Sequence, residues 1–380
     1  MTHDALGDAA QLRFRDPARA HALAASLARA TEAVGRDRIT LMHVCGSHEQ
    51  AIARFGLRAV LPRRLDLVMG PGCPVCITDM PEVDEAVALA LQGVHVATYG
   101  DMVRVPGTVT SLADARAGGG RVHVIYSVQQ AVDLARSTAD EVVFFATGFE
   151  TTAVATAAVL LRNPPANFSV LSAHKYVPPA MDAVMAMPEA RIEGFLAAGH
   201  AAVITGWGIF EAFAERHRVP VVVAGFEPLD ILAALVKLAE LVRDGRALVA
   251  NMYPRCVSKD GNRVAQEQLW KVFHAESGNW RGIARIPLGN LRLRDEWAHV
   301  DARRRFAIDL TRARDGEPSA LTAACICGRI MAGLATPLEC RLFGRECAPD
   351  APVGACMVSS EGTCRIWHQY GGRPELEVAS

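Results

Sequence analysis

Residues 38–49 read Arg-Ile-Thr-Leu-Met-His-Val-Cys-Gly-Ser-His-Glu, and residues 141–152 read Glu-Val-Val-Phe-Phe-Ala-Thr-Gly-Phe-Glu-Thr-Thr. In each, a short apolar run ends in a glycine-containing polar loop, and a stretch of helical periodicity follows. Such runs, alternating with helical segments, are the pattern of parallel α/β architecture. Working outward, the same unit recurs: strands are expected over 38–44, 65–69, 94–99, 121–126, 141–146, 168–172, 201–205 and 219–224. Helices are expected over 81–92, 127–135, 151–161 and 229–243. Polar loops follow nearly all of these strands, among them Cys45–Glu49, Gly70–Cys76, Tyr99–Asp101, Gly148–Thr152, His174–Lys175 and Gly225–Pro228. Open parallel sheets bind ligands beyond the carboxyl ends of their strands. The expected fold is therefore α/β, with two parallel-sheet domains facing a central cleft. The first would cover 1–138 and the second 139–315. From Thr322 onward, small residues, Pro, Gly and Cys replace the apolar periodicity, which marks a third, compact module assigned to 316–380.

The chain has 380 residues, is 51% hydrophobic and carries a formal net charge of −1. That near-balance excludes the basic field of a general nucleic-acid binder. No apolar run approaches the roughly 18 residues of a membrane span, and the first residues lack the apolar core of a secretory signal. A cytoplasmic protein is expected. Neither a Walker A sequence nor a G-x-G-x-x-G fingerprint follows a strand, so ordinary nucleotide binding has no positive support.

Ten cysteines in a reducing compartment call for chemistry other than structural disulfides. Cys73-Pro-Val-Cys76 is a CxxC beside a helix start, with Asp79 and Glu82 spaced as a capping box. Thiols near a helix N-terminus gain thiolate character, so the pair suits dithiol/disulfide exchange or a soft metal. Zinc is the competing reading, with Cys45 and His48 as its further ligands. Cys45-Gly-Ser-His48-Glu49 places a thiol, an imidazole and a carboxylate within one helical turn, which suits a Cys–His nucleophile or joint metal ligation, with Glu49 orienting His48. The last six, Cys325, Cys327, Cys340, Cys347, Cys356 and Cys364, have irregular spacing and suit an iron–sulfur cubane plus a thiol pair, although zinc also accepts four sulfurs. Which four bind stays open on spacing alone. Cys256 is expected to be a small buried apolar residue, and His174 and His200 are further candidates at strand ends.

Taken together, CGSHE (45–49), GPGCPVC (70–76), GFETT (148–152), AGFEPLDIL (224–232) and PLECRLFGRECAPDAPVGACMVSSEGTC (337–364) resemble the HypD family, maturation factors of [NiFe]-hydrogenases. The resemblance runs from about residue 38 to residue 370. Ser47 stands where the family usually has Thr, and both carry a hydroxyl. The resemblance implies two α/β domains and a cluster-bearing third. It implies a [4Fe-4S] cluster on Cys325, Cys340, Cys347 and Cys364, with Cys327 and Cys356 as a redox pair beside it. Cys45, Cys73 and Cys76 match the family's essential thiols. The implied role is a scaffold with redox chemistry rather than a conventional turnover enzyme. On it, an Fe(CN)2CO iron, held jointly with a HypC-type chaperone, is assembled with cyanide delivered transiently by HypE. Electrons would pass from the cluster through the thiol pairs. Two competitors remain: a stand-alone iron–sulfur thiol-disulfide oxidoreductase, which gives Cys45 and His48 no role, and a zinc-stabilised interaction module.

Overall fold

A computed structural model of the chain describes residues 15–372. In chain order the strands are β1 (Ile39–His43), β2 (Leu65–Met69), β3 (His95–Tyr99), β4 (Val122–Ile125), β5 (Val142–Gly148), β6 (Phe168–His174), β7 (Gly194–Ala198), β8 (Val221–Ala224), β9 (Val249–Asn251), β10 (Phe273–Trp280) and β11 (Ala284–Leu293). The α/β class read from the sequence is what the chain adopts. One parallel sheet has the order β2-β1-β7-β8-β9, another β4-β3-β5-β6, and β10-β11 form an antiparallel hairpin.

The pairing groups the chain differently from consecutive halves meeting at residue 138. A first unit comprises the chain through Gly72, then Val184–Asn262, then the segment from Ile366; the second comprises Cys73–Ala183 and Arg263–Arg365. Strand β1 takes its second neighbour from far along the chain, with Leu41 opposite Gly194. Parallel strands are joined by crossovers, and nothing in a strand's own composition records how long its crossover is. The residues from 316 on likewise fall in no unit of their own.

Strands β1, β5, β6 and β7 are buried along their whole length, which is why they read as unbroken apolar runs rather than alternating ones. In the first unit, Leu27 from the helix Pro17–Ala33 and Leu235 and Leu238 from the helix Pro228–Arg243 share a core with Ile39, Leu41 and Leu65. In the second, Phe144, Val170 and Leu160 share a core with Phe273 and Leu291 of the hairpin. The expected strand at 201–205 is instead part of a helix, Gly199–Thr205, and the strand is the preceding Gly194–Ala198. Two short apolar runs flank Gly199-His200, and periodicity does not discriminate between such runs. Cys256, expected inside, is exposed at the end of a turn beginning at Tyr253. Among the described residues no helix is long and apolar enough to cross a membrane.

Strand order reverses between β1 and β7 in the first unit and between β3 and β5 in the second. Such switch points open a crevice at the carboxyl ends of the strands. In the first unit the loop after β2 closes onto the loop after β1: Gly46 N–H donates to the Gly72 carbonyl at 3.0 Å. A Cβ on Gly72 would lie 2.1 Å from the Cys45 nitrogen, a main-chain atom that has no rotamer to yield. Gly72→Ala is therefore expected to destabilise the chain by about 3 kcal/mol, the upper range for overpacking, read as a lowered midpoint in urea unfolding.

Candidate functional site

The first unit builds its site at the β1/β7 switch point. Cys45 ends the extended segment after β1 and occupies the N-cap position of the helix Gly46–Arg54. It is 2% exposed and packs with Ala198, Ala201 and Phe226. It makes no disulfide.

His48 lies one turn into that helix and is fully buried. Its Nε2 donates to the Gly225 carbonyl at 3.0 Å, so Nδ1 keeps its lone pair, and Nδ1 is buried without a hydrogen-bond partner. Burial, then the neighbouring His43 and His200, push the ring down to about 3. A neutral ring of this kind suits a hydrogen-bond acceptor or a metal ligand better than a store for a proton.

Glu49 does not orient His48. Its carboxylate is fully buried and turned the other way, where Oε2 accepts from His43 Nε2 at 2.8 Å and Arg58 Nη2 at 2.7 Å. Oε1 accepts from Trp367 Nε1 at 2.6 Å. Burial alone would raise this carboxyl, but Arg58 and His43 outweigh it and hold it far below the usual carboxylate range. His43 Nδ1 in turn donates to the Cys45 carbonyl at 3.1 Å. His48 is oriented instead by the Gly225 carbonyl, because adjacent positions on a helix point to different sides.

In the second unit, Cys73 and Cys76 are disulfide-bonded and both are buried. Cys73 caps the short helix Pro74–Ile77, its Sγ accepting from Cys76 N–H at 3.2 Å. The expected capping box is formed: Asp79 caps the next helix, Met80–Leu91, and Glu82 reaches back to the Asp79 N–H at 3.1 Å. Glu82 also pairs with Lys175 at 2.7 Å and Arg292 at 3.1 Å, so the turn after the disulfide is pinned by a buried charge network.

All six C-terminal cysteines line one cavity, and its other walls are Gly354 and apolar side chains. Cys325, Cys327, Cys356 and Cys364 perturb one another in that order, and burial with these neighbours pushes the Cys325, Cys327 and Cys356 thiols up. Cys347 Sγ accepts from Val353 N–H at 3.4 Å and Cys356 Sγ from Cys364 N–H at 3.3 Å. Among the described residues no three donors converge as they would round a single ion. The fit to a cluster therefore rests on the donor set, soft sulfurs in an apolar wall with no competing carboxylate, and that is the ligand field an iron–sulfur cluster takes. The helices Cys327–Met331 and Ala355–Val358 both pack against Pro74–Ile77. The structure thus sets the helices bearing Cys327 and Cys356 beside the turn bearing Cys73 and Cys76.

Two further residues attract notice. Glu150 of GFETT is fully buried; its Oε1 accepts from Val177 N–H at 2.8 Å, its Oε2 has no partner, and burial lifts it to about 7. His174 is buried, bonded through Nε2 to Thr156 Oγ1 at 3.0 Å, and pushed down to about 3 by burial. His43, Arg58 and Trp367 carry no motif of their own, and sequence reading passes over them.

The chain matches the HypD family model, described as hydrogenase formation hypA family, over residues 18–371. It is 43% identical over 378 residues to a hydrogenase maturation factor HypD of Azotobacter vinelandii, covering 96% of this chain and 98% of that protein. It is 41% identical to a hydrogenase expression/formation protein HupD of Azotobacter chroococcum mcd 1, covering 96% and 97%. A HypD of Rhizobium leguminosarum bv. viciae is 40% identical, over 95% and 96%.

Glu49→Gln removes the charge that compensates Arg58, so about 3 kcal/mol of stability should be lost at pH 7, the usual cost of breaking a buried pair. A carboxyl with a depressed folded value gives its stability above its unfolded value, about 4.3, and loses it as pH falls toward the folded one. Urea unfolding should therefore show the wild-type advantage shrinking below about pH 4 by up to about 1.4 kcal/mol per pH unit.

Proposed function

Because the chain belongs to the HypD family of hydrogenase formation proteins and is a hydrogenase maturation factor, we propose that it serves as the scaffold on which the Fe(CN)2CO fragment of a [NiFe]-hydrogenase is put together. The observation that carries this reading is the pairing of two sulfur sites. One is a single thiol at a switch point, three residues before a buried imidazole lone pair, and the other is a cavity of six thiols whose helices pack against a CxxC disulfide turn.

Cys45 is the protein's own ligand to the iron under construction. A rigid strand stands behind it, and its short helix is held by the Glu49 anchor, so the sulfur keeps its place while the metal's other ligands change. The second thiolate comes from a HypC-type chaperone, and HypE supplies cyanide transiently. His48 Nδ1 offers a lone pair for a hydrogen bond or for the metal, and the Gly225 carbonyl fixes its tautomer.

Cys325, Cys340, Cys347 and Cys364 would hold a [4Fe-4S] cluster, which when bound supplies electrons one at a time. Cys327 and Cys356 form the dithiol beside it, and Cys73 and Cys76 cycle between disulfide and dithiol. The apolar wall keeps water from the sulfurs, and the capping box with Lys175 holds the exchanging turn in one conformation.

Two experiments test this. Cys45→Ala, purified anaerobically with a HypC-type partner, should lose the infrared bands of iron-bound cyanide and carbonyl while complex formation and brown colour persist. Unchanged bands would remove Cys45 as ligand. Cys340→Ala or Cys347→Ala should abolish the brown absorbance and loosen the cysteine module, because metal–thiolate bonds supply much of its folding free energy, whereas Cys327→Ala and Cys356→Ala should keep it. Full retention of iron and sulfide in the first pair would overturn the ligand assignment.

A further inference from the structure

Phe226 is the half-buried member of the apolar wall around Cys45. It packs against the cluster formed by Cys45, Ala198 and Ala201. Its ring also stacks on two imidazoles. The centroid lies 4.9 Å from that of His48 at an interplanar angle of 32°, and 5.1 Å from that of His200 at 35°. Tyr253 meets it edge-on, with centroids 6.2 Å apart. All three separations fall in the range of about 4.5–7 Å over which aromatic rings attract. His200, singled out in the sequence at a strand end, meets the site through this ring.

The backbone beneath the ring is fixed. Gly225, just before it, accepts at its carbonyl from His48 Nε2 at 3.0 Å. Glu227, just after it, forms a capping box with Asp230 at the start of the helix Pro228–Arg243. A Cβ on Gly225 would run into Asp230 Oδ2 and, at 2.7 Å, into the Tyr253 ring, so the turn has no room to shift. Tyr253 is held in its turn by Arg255, whose guanidinium lies 4.4 Å from the ring centre and donates from Nη1 to Asp230 Oδ1 at 2.9 Å. Ala198 and Ala201 have no rotamers. The Phe226 side chain can turn about its own Cα–Cβ bond, and the rest of this cluster wall cannot. With the ring in place Cys45 is 2% exposed, and a sulfur so covered has no room for a metal that a second protein also holds.

We propose that Phe226 is the gate of the Cys45 site: stacked on His48 and His200 it shuts the thiol away, and swung outward it uncovers Cys45 and a face of His48 together. No covalent bond is made or broken in the motion. Closed, the gate keeps oxidants and stray metals from the sulfur, because thiol reactivity needs access. Open, it admits the iron and its small ligands; this last step rests on the reading of Cys45 given above, whereas the gating of the thiol does not.

The test is alkylation of the full chain with iodoacetamide under anaerobic conditions, sampled early and read by peptide mass spectrometry. The exposed Cys256 serves as internal reference. An open form populated at about 0.1–10% limits the wild-type rate, so Phe226→Ala should label Cys45 at least about tenfold faster relative to Cys256. Phe226→Tyr, which keeps the ring, should label at the wild-type rate. His200→Ala, which strips one partner from the stack and leaves the Cys45 cluster intact, should label faster than the wild type. Turning one side chain exposes little surface, so the wild-type rate should stay flat in urea below the unfolding transition, whereas local unfolding would make it climb. Phe226→Ala or His200→Ala labelling at the wild-type rate overturns the gate. So does a wild-type rate that climbs with urea, or an acceleration in Phe226→Ala that extends to the buried Cys327 and Cys356, which would mark general loosening. No iron takes part, so failure of the gate leaves the ligand role of Cys45 to its infrared test, and unchanged infrared bands in Cys45→Ala leave the gate standing.

Discussion

The carboxylate of Glu49 receives three donors, from β1 (His43), from the segment after the Cys45 helix (Arg58) and from the C-terminal helix (Trp367). Removed from water, each of these groups has its best partner in the others, and none has a second place to go. The helix that begins at Gly46 is only nine residues long, too short to persist on its own propensity. Its direction, and with it the placement of Cys45 and His48, is set by that anchor and by the Gly225 carbonyl. The same anchor reaches Cys45 directly, since His43 bonds its carbonyl.

The second unit uses the same device in another place. Lys175, fully buried, is held by Glu82 and by the Asn290 side chain at 3.1 Å. Burial lowers the lysine, and Glu82, which burial alone would raise, is held down by Lys175 and the arginines. The pair joins the end of β6, the helix after the disulfide and the hairpin. In both units a cysteine sits at the end of a rigid segment whose other end is tied by buried charge. A sulfur that must exchange partners gains from such a frame, because the changing bond is then the one soft coordinate in its surroundings.

Much of this was legible in the sequence. Seven of the eight expected strands match observed ones, the Asp79–Glu82 box is formed, and the clustering of six cysteines foretold a common cavity. These features are local or compositional, and local chemistry enforces them. What eluded the sequence is of longer range. Glu49 was singled out as orienting His48 because the two are neighbours in one motif, yet its partners are His43, Arg58 and Trp367, and no pattern announces a partner more than 300 residues away. Cys256 was expected inside because free cysteines are commonly buried; the turn at Tyr253 carries it outward.

The alternation of the two units along the chain has a consequence for the order in which they can be built during synthesis. When β1 and β2 have emerged, the flank of β1 that will receive β7 is an open row of backbone donors and acceptors, and it stays open until Gly194–Ala198 has been made. Long-range parallel pairing is slow because loop closure must come before the contacts that reward it, and an uncovered strand edge is a template for wrong partners. Strands β3 to β6 are consecutive, so the four-stranded sheet of the second unit can pair within that interval. The hairpin that completes that unit's core is made only after β7. Synthesis order thus keeps both units unfinished until late, the first waiting for β7 and Trp367 and the second for its hairpin.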